Sequence, residues 1–307
     1  MENRTVLQYI FITLKGMAMG AADVVPGVSG GTIAFISGIY EELISSINNV
    51  SLSTFKIWKE QGFKAFWNKL NGNFLLALFV GIFISLFSLA TLVSWLLENQ
   101  PILLWSFFFG LVAASIIFVG KAIEKWNVLT VVMLIVGACV AYFVTTLPPN
   151  ENVASLPFLF LSGAVAVCAM ILPGISGAFI LVLLGSYKTI LDAVHERDIK
   201  IVITVGLGAI FGLLSFARLL KWMFKNYKNA TLAVLTGFIL GSLPKIWPWK
   251  KVLETKTFGD KIITIKEANI SPFNFEGDNQ LVFAILLAII GFSLIFILEK
   301  FADKEQV

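Results

Sequence analysis

Charge, cysteine and histidine are all scarce in this chain. Only 14% of its 307 residues are Asp, Glu, Lys or Arg, against 58% hydrophobic ones, and the mean hydropathy is +0.88. A soluble domain carries about a quarter charged residues, so a soluble fold is excluded and a polytopic membrane protein is indicated. The two cysteines, Cys139 and Cys168, lie in apolar runs, and the single histidine, His195, lies in a charged stretch. Neither a disulfide framework nor a metal cluster is available, and no catalytic set, resident cofactor or nucleic-acid partner is expected. Strand-like alternation is also missing. A helical bundle then satisfies the backbone in lipid, and the fold class read from composition is all-α.

What the chain does have is ten apolar runs, at about 6–22, 24–45, 74–97, 101–120, 127–147, 156–172, 174–191, 199–220, 230–247 and 280–298. Val6 to Ala22 has the outline of a signal peptide. Lys15 interrupts it, and a repeat copy lies at 161–169, so the segment is expected to belong to the fold.

That copy is part of a duplication. Pro26-Gly27-Val28-Ser29-Gly30-Gly31-Thr32 recurs 147 residues on as Pro173-Gly174-Ile175-Ser176-Gly177-Ala178-Phe179. Around it Leu14/Leu161, Gly16/Gly163, Ala22/Ala169, Ile33/Ile180, Gly38/Gly185 and Tyr40/Tyr187 fall in register. A second offset, 127, aligns Gly81/Gly208, Ala90/Ala217, Trp95/Trp222, Gly110/Gly237 and Ser115/Ser242. Two membrane repeats are therefore expected, at 1–150 and 151–307, each a broken pair of apolar arms followed by three spanning helices. A duplicated pair of Gly/Pro-interrupted apolar segments points to a transporter's binding site.

Lys and Arg decide the topology, because short cytoplasmic loops are enriched in them. If each motif pair is a hairpin that leaves by the side it entered, Arg4, Lys56, Lys59, Lys64, Lys69, Lys121, Lys125, Arg218, Lys221, Lys225, Lys228, Lys300 and Lys304 gather on one face. The linkers at 98–100 and 148–155, without a basic residue, fall on the other. Three spans per half is an odd number, so the second repeat is inverted, the two re-entrant turns approach from opposite faces, and both termini are cytoplasmic.

Pro26 and Pro173 end the first arms, and Gly27 and Gly174 permit the turns. The returning arms begin near Ser29–Gly31 and Ser176–Gly177, leaving helix-start N–H groups suited to an anion such as phosphate. Ser29 and Thr32 add hydroxyls. Each serine alone reads equally well as an ordinary N-cap, but a polar turn in hydrocarbon must be buried in protein or line a cavity. Lys15, Asp23 and Arg218 are the ionisable residues nearest the apolar interior. Lys15 and Arg218 are candidate phosphate ligands, with snorkelling the alternative for Arg218. Asp23 is the candidate for a coupling ion, with a turn cap as its alternative. Glu41 and Glu42 are expected at the interface.

Residues 51–70 place Leu52, Phe55, Trp58, Phe63, Phe66, Trp67 and Leu70 against Lys56, Lys59, Lys64 and Lys69. This is expected to be an interfacial amphipathic helix on anionic lipid. The 248–279 stretch reads as an extracytoplasmic loop.

At GMAMGAADVVPGVSGGTIAFISGIYEEL, PGISGAFILVLLGSY, FARLLKW and GFILGSLPKIWP the chain resembles the bacterial polyprenyl-phosphate transporter family. The resemblance runs nearly end to end. It implies a flippase that returns undecaprenyl phosphate, the lipid carrier of cell-wall synthesis, from the outer to the inner leaflet of the cytoplasmic membrane. A proton or sodium ion is the candidate coupling partner. The alternative from another class is an intramembrane lipid pyrophosphate phosphatase, with a Pro-Gly-x-Ser-Arg-Ser signature. Gly30 and Gly31 occupy its Arg and Ser positions here, which removes the charge that phosphoryl transfer needs. A carrier of a small soluble anion would use the same site with an aqueous cavity.

Overall fold

The computed structural model describes residues 4–25, 28–147, 155–258 and 261–304. Pro26, Gly27 and the expected boundary at 150/151 lie outside these residues. The described chain is mostly helical, with four helices long and apolar enough to cross a membrane, or five if one bent pair counts as a span. It is a multi-pass helical membrane protein.

The first motif pair comprises α1 (Val6–Val24), α2 (Gly30–Ile36) and α3 (Tyr40–Asn48), and its copy comprises α9 (Leu156–Ile171), α10 (Gly177–Leu183) and α11 (Tyr187–His195). The arms expected as single runs at 24–45 and 174–191 are thus each broken in two. Gly38 and Gly185 hold φ of +75° and +70° at the breaks, a region that favours glycine. The axis bends by 106° between α10 and α11. The chain then folds back toward its entry: Arg4, just before α1, forms a bidentate pair with Glu42 of α3 at 2.7 and 2.8 Å. In the copy, Ser186 after α10 shares a 2.7 Å hydrogen bond with Ser162 on α9.

The 51–70 stretch is also two helices rather than one, α4 (Leu52–Gln61) and α5 (Phe63–Leu70), folded together at Gly62, where φ is +85°. Trp58 stacks on Phe66 at 5.2 Å between ring centroids.

The long helices are α6 (Gly72–Asn99), α7 (Pro101–Lys121), α8 (Val128–Thr146), α12 (Ile199–Ser242) and α13 (Leu281–Lys304). At 1.5 Å per residue, α12 is about 66 Å long, roughly twice a bilayer's hydrocarbon thickness. It divides at Tyr227, whose φ/ψ of −139°/46° is not helical. Gln100, 127 residues earlier between α6 and α7, has −139°/50°. The same break recurs in both copies, and Pro101 makes only the first one visible as a gap.

Glycines set the packing. Gly16 faces Gly81 between α1 and α6, and Gly163 faces Gly208 between α9 and α12. Gly110 faces Gly291 between α7 and α13, and Gly137 faces Gly237 between α8 and α12. A carbon on any of these would strike the carbonyl three residues before the facing glycine: Leu78 and Thr13, Val205 and Phe160, Ala288 and Phe107, Val234 and Leu134. Because Cα–Cβ bonds tilt toward the helix N-terminus, reciprocal contacts on the N-terminal side mean that each pair runs parallel. These seams are the four most extensive helix packings, of the small-residue kind that association in lipid relies on. The first two are one contact under the repeat registers of 147 and 127. The last two cross between the two halves of the chain, α7 packing on α13 and α8 on the second part of α12.

One short strand pair stands in the otherwise helical chain. β1 (Lys250–Phe258) and β2 (Lys261–Asn269) pair antiparallel in the 248–279 stretch. Alternation was hidden there by the many charged residues in the sequence.

The seams predict that Gly208→Val, driven into the Phe160 carbonyl, destabilises the protein by about 1–3 kcal/mol or more. Gly206→Val, with nothing within 4 Å, should have no comparable effect. Thermal melting of both variants in detergent checks the contrast.

Candidate functional site

The two motif turns meet. Ser29, fully buried, caps α2 by accepting from Gly31 N–H at 3.1 Å. Its hydroxyl lies 3.1 Å from the Met170 carbonyl and 3.2 Å from that of Leu172, to which it donates. Thr32 Oγ1 accepts from Gly174 N–H at 2.9 Å. Both carbonyls and the amide belong to the second turn, so each hydroxyl of the first motif satisfies a backbone group that the other broken helix leaves open. Gly31 permits the approach, since a carbon there would collide with the Ile171 carbonyl. Gly174 holds φ of +86°.

The first turn is already supplied with an anion. Gly30 N–H donates to Asp23 Oδ1 at 2.7 Å, and a carbon at Gly30 would lie 2.6 Å from Asp23 Oδ2. The carboxylate stands where an anionic ligand of this helix start would stand. Met170 replaces it in the copy, and Ser176 makes no side-chain bond to the α10 amides. The two turns thus have one backbone plan and different chemistry.

Of the residues singled out in the sequence, Ser29, Gly31 and Thr32 are brought against the Met170–Gly174 segment, and Gly30 lies against Asp23. Ser176 and Gly177 follow it, Gly177 packed on the Ala166 carbonyl. Pro26 and Gly27 lie outside the described residues. Lys15 is half-buried on α1, about 12 Å along the helix from Asp23. Arg218 is exposed on α12, beside Ala217, whose carbonyl accepts from Asn48 at 2.6 Å. Glu42 does more than sit at an interface, being held by Arg4 and by Asn71 Nδ2 at 2.7 Å.

Sequence reasoning missed two cations. Lys245 Nζ stands 5.2 Å from the ring centroid of Phe179, on the first turn of α10, and Lys250 Nζ stands 4.2 Å from that of Trp105. Only the position of Lys245 within the GSLPKIWP stretch, close after the repeated Ser242, could have drawn notice.

Paired broken-helix turns inside a bundle of glycine-seamed spans define a polytopic membrane protein of the transporter kind. The comparisons give the particular family: residues 19–262 match the VCA0040-like family, described as undecaprenyl phosphate translocase-like, and the chain belongs to it. It is 45% identical over 304 residues to a polyprenyl-phosphate transporter of Vibrio cholerae serotype O1, covering 97% of this chain and 98% of that one. It is 30% identical over 253 residues to a polyprenyl-phosphate transporter of Staphylococcus aureus, covering 76% of this chain and 85% of that one. No solved structure matches it.

Thr32→Val keeps the shape of the side chain but orphans Gly174 N–H, and is expected to cost about 1–3 kcal/mol. Thr32→Ser restores the acceptor. A lowered melting temperature for valine alone is the expected result, and a valine variant that melts with the wild type would show that this bond does not join the turns.

Proposed function

We propose that the chain is a carrier, not an enzyme, that moves a polyprenyl phosphate from the outer to the inner leaflet of the bacterial cytoplasmic membrane, with its headgroup handled at the paired turns. The observation that carries this is the meeting of the two turns in a chain that is 45% identical, end to end, to a polyprenyl-phosphate transporter. The phosphate's surroundings are proposed to be Ser29, Gly30, Gly31, Thr32, Ser176 and Gly177, with Lys15 and Arg218 as further candidate ligands.

The topology proposed is inverted, with re-entrant hairpins and cytoplasmic termini. Three observations support it. Arg4 and Glu42 close the first hairpin at its own entry. The parallel α1/α6 and α9/α12 pairs fit a chain that returns to its starting side before each long helix begins. The 98–100 linker, which has no basic residue, and the lysine-rich 56–69 stretch then fall on opposite faces. In a chain with Cys139 and Cys168 replaced by serine, Ser53→Cys and Trp126→Cys should label from the cytoplasm alone, and Asn99→Cys and His195→Cys from outside alone. Labelling of position 53 from outside would overturn the hairpins.

Energetics call for coupling. A phosphate monoester carries about −1.5 to −2 charges near neutral pH, and moving it inward against an inside-negative potential costs roughly 2.3 kcal/mol per charge per 100 mV. Asp23 offers a route. A phosphate oxygen that takes the Gly30 N–H must displace the carboxylate now bound there, and a proton or cation on Asp23 weakens the bond that has to break. Transfer between leaflets of proteoliposomes, with orthophosphate release followed in parallel, tests the whole reading: the expected result is lipid movement without release. In the same assay Asp23→Asn should weaken the dependence on an imposed pH or sodium gradient more than it weakens substrate binding. Wild-type gradient dependence in that variant would leave Asp23 a turn cap.

A further inference from the structure

The segment after α12 is built around an ammonium group. The 3-10 turn Leu243–Ile246 continues α12 and starts beside the second motif turn, where a carbon on Gly174 would meet Ser242 Oγ at 2.7 Å and the Phe238 carbonyl at 2.8 Å. Three residues after Ser242 comes Lys245, half-buried over the Phe179 ring. It forms no ion pair among the described residues. Lys250 has a different situation: its side chain is only 11% exposed, and Glu267 neutralises it at 3.3 Å. Burial pulls the Lys250 ammonium below the ordinary lysine value while Glu267 raises it, and the charge of Lys245 also acts to lower it. The two cations are therefore close enough to act on one another, and Glu267 pairs with Lys250.

A rigid frame holds this arrangement. Asn269 Nδ2 donates to the Pro244 carbonyl at 2.7 Å, and Trp247 Nε1 donates to that of Ile270 at 2.9 Å. Ile270 N–H donates to the Trp249 carbonyl at 3.0 Å, and Trp249 Nε1 to that of Asn279 at 2.9 Å. The Trp247 ring packs edge-on against Phe109 and Trp249. The base of the β1–β2 hairpin is thus stitched to the turn that carries Lys245. The Lys245 ammonium has no carboxylate partner among the described residues, and an anion could pair with it.

We propose that Lys245 receives a phosphate group at the second turn, its ammonium held over Phe179 and the β1–β2 base with the Lys250–Glu267 pair serving as the frame. Resting on the transport reading, this assigns Lys245 to capture of the lipid-borne phosphate monoester on the face opposite the termini. The pairing is electrostatic and charge-assisted, with no covalent step.

The test is a saturation curve in proteoliposomes carrying the full chain, with polyprenyl phosphate supplied from the hairpin face. Lys245→Gln should raise the half-saturating lipid density about 10-fold or more, as expected for one charge-assisted hydrogen bond, and leave the maximal rate nearly unchanged. Lys245→Arg should recover most of the loss, and Lys251→Gln, exposed on β1, should match the wild type. Lys245→Met, which keeps the stem over Phe179, replaces glutamine if that variant melts early. Wild-type saturation by a folded Lys245→Gln or Lys245→Met protein overturns the proposal. A second readout does not depend on transport: a short-chain prenyl phosphate should protect Lys245 of the detergent-solubilised wild type from acetylation, read by mass spectrometry. Protection in a protein that moves no lipid upholds the site while the transport reading fails, and absence of protection overturns the site. Inorganic phosphate run in parallel separates the sources: equal protection assigns recognition to the phosphate group itself, and protection by the prenyl phosphate alone assigns it to the lipid headgroup.

Discussion

A helix broken inside hydrocarbon leaves N–H and C=O groups that no water can satisfy, and here two broken helices satisfy each other. Ser29 supplies a proton to the carbonyls at the end of α9, and Thr32 supplies a lone pair to the amide of Gly174. Each such group left bare would cost about 1–3 kcal/mol or more. The turns are therefore stable only together. That mutual need brings residues 141 to 143 apart in sequence into one small volume, and the surrounding helices serve to hold them there.

The holding is done largely by backbone. In lipid there is no hydrophobic drive to press apolar helices together, so close approach of small residues has to supply the attraction. The four glycine seams do this, and their arrangement explains why the halves form one body. Two seams lie within a repeat, tying α1 to α6 and α9 to α12. The other two cross between repeats, tying α7 to α13 and α8 to α12. α8 finds its extensive packing on α12, and α13 finds its own on α7. This crossing makes the duplicated chain a single unit and fixes the distance at which the turns face each other.

Much of this was legible as identities at fixed offsets. Gly16/Gly163, Gly81/Gly208 and Gly110/Gly237 aligned in the sequence because each makes the same contact twice. Gly38/Gly185 also aligned, yet the helix break there went unread, since a single glycine inside an apolar run is compatible with a continuous helix and only its positive φ shows otherwise. The partner seam glycines Gly137 and Gly291 stand outside both recognised offsets. The β-hairpin escaped because its strands carry charge rather than alternation. The bond between Asp23 and Gly30 could not be deduced from spacing alone: seven residues within one helix would put the two apart, and only the intervening turn brings them together.

Duplication supplied two equivalent turns, and the charges that decorate them are not equivalent. On the first, the helix start is filled by Asp23 and the hairpin is clasped by Arg4 and Glu42. The second has Met170 in place of the carboxylate, and Lys245, from the end of α12, stands over Phe179 of α10. A strictly symmetric pair of turns would bind an anion equally at both ends and favour neither. Under the proposed reading, with a carboxylate competing at one turn and an ammonium group attracting at the other, the free energy of a bound phosphate would differ between them. That difference can be altered by whatever neutralises Asp23. Under the transport reading proposed above, direction would reside in the side chains by which the two copies have diverged, Asp23 against Met170 and Thr32 against Phe179.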